Sequence, residues 1–99
     1  MPDYFDDEFE WDEDKSEQTF VQRHFDFEFA SEIFKGPTVE AYDEAHSERE
    51  DRFVSVGTVE NVFITVVYTL RGARKRIISA RLSERREIDE FTKRFGFPD

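Results

Sequence analysis

The chain has 99 residues and 16% aromatics, mostly phenylalanine, which fits one small domain with an adequate core. It has no cysteine, so disulfides and thiolate chemistry are excluded, in keeping with a reducing compartment. The net charge of -10 argues against a nucleic-acid partner only until its distribution is seen: residues 1–51 hold 4 Lys and Arg against 18 Asp and Glu, and residues 52–99 hold 10 against 6.

Residues 1–8 are acidic, unlike a secretory leader, and read as a loose segment ahead of a domain over residues 9–99. Phe9-Glu10-Trp11 reads as a short edge strand. Asp12 is placed to cap a helix over residues 13–24, with Phe20 and Val21 as its main apolar contact. His24-Phe25-Asp26 is a turn. Asp26 caps a second helix whose apolar face is Phe27, Ala30, Ile33 and Phe34, ended by Gly36-Pro37. Residues 38–50 are polar and read as irregular, with room for a short strand near Val39.

Phe53 to Val56 is predicted as a strand ended by Gly57. Val62 to Tyr68, rich in β-branched residues, belongs in the middle of a sheet and is far too short to span a membrane as a helix. Leu70-Arg71-Gly72-Ala73 turns the chain back into a strand over residues 75–80. Ser83 caps a last helix with Leu82, Ile88, Phe91 and Phe95 as its buried stripe. The sum is an α+β domain: a mainly antiparallel sheet of about four strands, packed against two N-terminal helices and one C-terminal helix.

The feature that points furthest toward function is Arg76-Ile77-Ile78-Ser79-Ala80-Arg81, followed by Arg85-Arg86-Glu87. A strand flanked by arginines gathers guanidinium groups, whose planar forks suit phosphate. On a flat strand Arg76 and Arg81, five apart, point to opposite faces, a conflict that a strand end or bend near Ala80 would relax. With Arg52, they are the candidate phosphate ligands.

Metal-independent cleavage of a phosphodiester needs a base for the attacking hydroxyl, cations around the phosphorane and an acid for the leaving oxygen. His24 is the candidate base or acid, its other reading being a helix C-terminal residue favoured by the dipole. Glu50 is the alternative base, its other reading an ion pair with Arg52. Lys15 and Arg85 are candidate contacts for a phosphate-bearing ligand; Arg86, Lys93 and Arg94 read as solvated or partner-facing. His24 and His46 lack metal-ligand spacing and no glycine-rich phosphate loop is present, so no metal or cofactor is expected.

The ordered set Phe9-Glu10-Trp11-Asp12 with Lys15, then His24, Phe27, Ala30 and Phe34, then Glu50-Asp51-Arg52 with Val56-Gly57, then Arg76 to Arg81 with Arg85 and Glu87, resembles the BrnT toxin family. The resemblance runs from about residue 9 to residue 91. It implies a RelE-like fold and a cytoplasmic ribonuclease that inhibits translation. It also implies neutralisation by a cognate BrnA-like antitoxin, through which alone the complex touches DNA. The chain departs from the family pattern in a turn one residue shorter after His24 and in Phe91 where a tyrosine is usual.

These departures and the acidic N-terminal segment fit an alternative: a non-catalytic interaction module that binds a basic partner through its acidic half. An intermediate case has residues 1–8 folded over the basic face, screening it from RNA.

Overall fold

The computed structural model describes residues 2–98. The elements in chain order are β1 (Asp3–Phe5), β2 (Phe9–Asp12), α1 (Glu13–Arg23), α2 (Phe27–Ser31) running into a 3-10 turn at Glu32–Lys35, and β3 (Val39–Tyr42). A second 3-10 turn at Glu44–His46 precedes β4 (Arg52–Val59), β5 (Val62–Arg71), β6 (Arg74–Leu82) and α3 (Arg85–Phe95). The six strands form one sheet in the order β1-β2-β6-β5-β4-β3. It is mixed, because β2 runs parallel to β6 while every other pair is antiparallel.

The sheet therefore exceeds the four antiparallel strands read from the sequence. Asp3 to Phe5 are not loose: β1 pairs with β2, and Tyr4 stacks on Trp11 with ring centroids 4.3 Å apart. That moves the sheet edge from β2 out to β1. At the other edge, Val39 to Tyr42 pairs with β4 along its whole length. Both added strands are only three and four residues long, so period-2 patterning barely marks them.

Local capping follows the sequence closely. Asp12 accepts from the Asp14 and Lys15 amides to start α1, and Asp26 accepts from the Phe29 amide to start α2. The last helix starts one residue later than predicted. Its cap is Glu84, which forms a reciprocal capping box with Glu87.

The core lies between the sheet and the α1–α2 layer: Trp11, Phe25, Phe27, Ala30, Ile33, Ile64, Val66, Ile77 and Ala80 are buried together. Phe20 and Val21 do not anchor α1; Val21 is 71% exposed. The helix instead packs through small residues, Ser16 and Thr19, and the Ser16 hydroxyl accepts from the otherwise unpaired Phe27 amide at the start of α2. Bulk at these positions would hold the two helices apart. On α3, Phe91 is buried against Phe63, with ring centroids 5.5 Å apart, while Leu82 and Phe95 stay exposed. Among the described residues no helix is long and apolar enough to cross a membrane.

Gly57 does not end a strand. It sits inside β4 where the 3-10 turn after α2 presses on the sheet, and a Cβ there would lie 2.8 Å from the Ile33 Cβ. Backbone approach of this kind requires glycine. Gly57→Ala is expected to cost about 2 kcal/mol, in the range of overpacked cores. Urea unfolding checks this; an unchanged midpoint would mean that the turn is free to shift away from the sheet.

Candidate active site

The parity conflict between Arg76 and Arg81 is resolved by an irregularity in β6. Val67 pairs with Ser79 but Tyr68 pairs with Ile77, so Ile78 is an extra residue, a β-bulge. Beyond it the alternation reverses. Ile77 and Ala80 both turn into the core, and Arg76 and Arg81 both turn to the opposite face of the sheet.

Register places the third arginine beside them. Glu10 lies opposite Arg76, Arg76 opposite Thr69, and Thr69 opposite Arg52. Directly opposed residues share a face, so Glu10, Arg76, Thr69 and Arg52 form one row across four strands. At about 4.8 Å per strand, the Arg52 and Arg76 backbones stand about 10 Å apart across Thr69. Arg81 belongs to a parallel row through Thr65 and Val56.

The three guanidinium groups are in different ionic states. Arg76 donates to Glu10 at 2.7 Å and to Asp3 at 3.2 Å, and these carboxylates hold its proton more tightly still. Arg81 makes a two-pronged bond to Glu87 at 2.7 and 3.0 Å. Burial alone would raise the Glu87 carboxyl; Arg81, the Glu84 amide and the Thr65 hydroxyl outweigh it and leave it below its ordinary value. Arg52 has no carboxylate partner among the described residues, and its Nε is buried without a hydrogen bond.

Arg52 borders a cleft of roughly 590 Å³ together with Ala45, His46, Glu48, Arg49 and Glu50. Glu50 does not pair with Arg52; its partner is Arg71, at 3.2 Å. The loop that carries these residues is tied at its base. The Asp43 amide donates to the Arg52 carbonyl, the Arg52 amide to the Ser47 hydroxyl, and the Thr69 hydroxyl to the Asp51 carbonyl.

The remaining sequence candidates lie elsewhere. His24 is the left-handed C-cap of α1, with φ 69°, and is exposed. Lys15 is an exposed residue of the same helix. Both belong to the helix layer that packs on the Ile77 and Ala80 side of the sheet, the reverse of the arginine row, so neither joins Arg52, Arg76 and Arg81. Arg85 is exposed at the start of α3 and faces Asp89 at 3.4 Å.

The cleft also holds residues that sequence reading passed over. His46 was weighed only as a metal ligand; its Nδ1 lies 3.2 and 3.1 Å from the two Asp43 oxygens. The available signal was Asp43-x-x-His46, the spacing of one tight helical turn, inside a stretch read as irregular. Among the described residues no three His, Asp or Glu side chains converge as a metal site would require.

The model of a known family, the ribonuclease toxin BrnT of type II toxin–antitoxin systems, matches residues 11–87. The match takes in Glu50, all three arginines and Glu87, and leaves β1 outside. No curated protein matches the chain.

The Arg81–Glu87 contact makes a pH prediction. Glu87 titrates lower when folded than its ordinary 4.5, so its contribution is complete above that value and fades as pH falls through the folded value. Glu87→Gln is therefore expected to lose about 2 kcal/mol at pH 7, typical of hydrogen bonds to a charged group. The gap to wild type should narrow at pH 3. Urea unfolding at both pH values checks this, and a gap that widens in acid would reverse the sign.

Proposed function

The chain belongs to the BrnT family of ribonuclease toxins of type II toxin–antitoxin systems, and from that premise we propose that it cleaves RNA, stops translation in the cytoplasm and is neutralised by a BrnA-like antitoxin. The observation that carries this reading is the gathering of Arg52, Arg76 and Arg81 on one sheet face of a chain whose net charge is -10. Fixed cations on one face suit a polyanionic backbone, and a guanidinium next to the reacting phosphate stabilises the charge of a phosphorane transition state. The α+β architecture, a six-stranded mixed sheet with helices on both sides, is consistent with the RelE-like scaffold that the family resemblance implies.

In this reading Arg52 is the primary phosphate ligand, because its guanidinium is not committed to a carboxylate. Arg76 and Arg81 widen the cationic face, and Glu50, on the cleft wall, takes the 2′-hydroxyl proton. Arg85 is a peripheral RNA contact. His24 and Lys15 shape the helix layer instead of the reacting centre. DNA is contacted only through the antitoxin.

A second reading has its own observation. Arg76 and Arg81 are both already paired with carboxylates, and β1, which supplies Asp3, lies outside the family match. A sheet face neutralised from within fits a binding module whose acidic half docks a basic partner.

Induced expression separates the two. Wild type should arrest growth and fragment cellular RNA, and Arg52→Ala should lower cleavage about 100-fold, as loss of a transition-state donor does. A folded wild-type chain that leaves RNA intact would favour the binding module. Asp3→Asn, which frees one side of Arg76, is expected to raise RNA affinity in low salt and to steepen its decline with added salt. Filter binding at two salt concentrations checks that, and unchanged affinity would mean that Asp3 does not screen the face.

A further inference from the structure

His46 stands on the rim of the Arg52 cleft with its ring already oriented. It sits on the 3-10 turn Glu44–His46, and both oxygens of Asp43 lie within 3.2 Å of Nδ1. Asp43 is itself held, its amide by the Arg52 carbonyl at 2.8 Å and its carbonyl by the Ser47 hydroxyl at 2.5 Å. The same Ser47 hydroxyl accepts from the Arg52 amide at 3.0 Å. Histidine, its orienting carboxylate and the phosphate-binding arginine are therefore tied into one hydrogen-bonded loop.

With Nδ1 committed to Asp43, the ring has Nε2 to offer; no protein group among the described residues bonds it. A carboxylate on one nitrogen fixes the ring orientation and leaves the other nitrogen for proton transfer. Glu48, Arg49, Glu50 and Arg52 share the cleft with His46. Imidazole is the side chain whose proton exchange lies nearest neutral pH, which suits general acid work. His24, the other histidine, is on the far layer.

We propose that His46 is the general acid of RNA cleavage, oriented by Asp43 and acting beside Arg52. The inference rests on the ribonuclease reading above and assigns it a proton donor. The 2′-oxygen forms a bond to phosphorus as its proton passes to Glu50. The bond from phosphorus to the 5′-oxygen breaks, and that oxygen takes the proton from His46 Nε2. The products are a 2′,3′-cyclic phosphate and a 5′-hydroxyl, and proton exchange with water resets both groups. Asp43 touches no reacting atom and is a positioning residue.

The test compares purified wild type, His46→Ala and Asp43→Asn on two RNA oligonucleotides, one ordinary and one with sulfur replacing the 5′-bridging oxygen at the cleaved linkage. A thiolate leaves without being protonated, so it does not need the acid. His46→Ala should cut ordinary RNA about 100-fold more slowly, the usual cost of losing a general acid. It should cut the sulfur-linked RNA at close to the wild-type rate, and Asp43→Asn should show the same pattern with a smaller loss. His46 is exposed, so the substitution leaves the core untouched. Equal loss on both substrates, or no loss on either, would overturn the assignment while leaving the ribonuclease reading standing. A folded wild type that cuts neither RNA would remove both.

Discussion

One extra residue in β6 sets the character of this molecule. Without the bulge at Ile78, strict alternation would send either Arg76 or Arg81 into the hydrophobic core, or pull Ile77 or Ala80 out of it. An unpaired guanidinium in the core costs far more than a lost ladder bond. The bulge satisfies both demands, giving one apolar face for α1 and α2 and one face that carries both arginines. Register through Thr69 then adds Arg52 without further adjustment.

The second constraint is charge balance. Gathering arginines raises repulsion, and the fold relieves it by giving Arg76 the carboxylates of Asp3 and Glu10 and Arg81 that of Glu87. These contacts also fix structure, since Glu87 closes the capping box of α3 while it holds Arg81. Arg52 alone of the three lacks such a partner among the described residues, and it is the one that borders the cleft. The division separates an arginine without a carboxylate partner from arginines that also serve the scaffold.

The acidic N-terminus takes on a definite role in this balance. Asp3 reaches Arg76, Phe5 lies under the Arg74 guanidinium at 4.9 Å, and the Asp6 carbonyl accepts from Arg74 at 2.6 Å. A segment that looks like a solvated acidic tail is thus a strand laid beside the basic face. Its anchor is aromatic, the Tyr4 ring stacked on Trp11, which explains why its acidic run is interleaved with rings.

Capping residues, the central strand and the arginine-flanked strand were legible in the sequence because each is a local signal: Asp12 and Asp26 before helices, β-branched residues in β5, and the arginines around Ile77 and Ile78. The ordered motifs carried the family for the same reason. Tertiary structure alone decided which side chains meet. The bulge depends on pairing with β5, the edge strands exist only because β2 and β4 offer them partners, and His24 is separated from the arginines by the sheet itself. His46 joins Arg52 because hydrogen bonds across the 43–52 loop close it, and loop closure is a property of the folded chain that no spacing in the sequence reports.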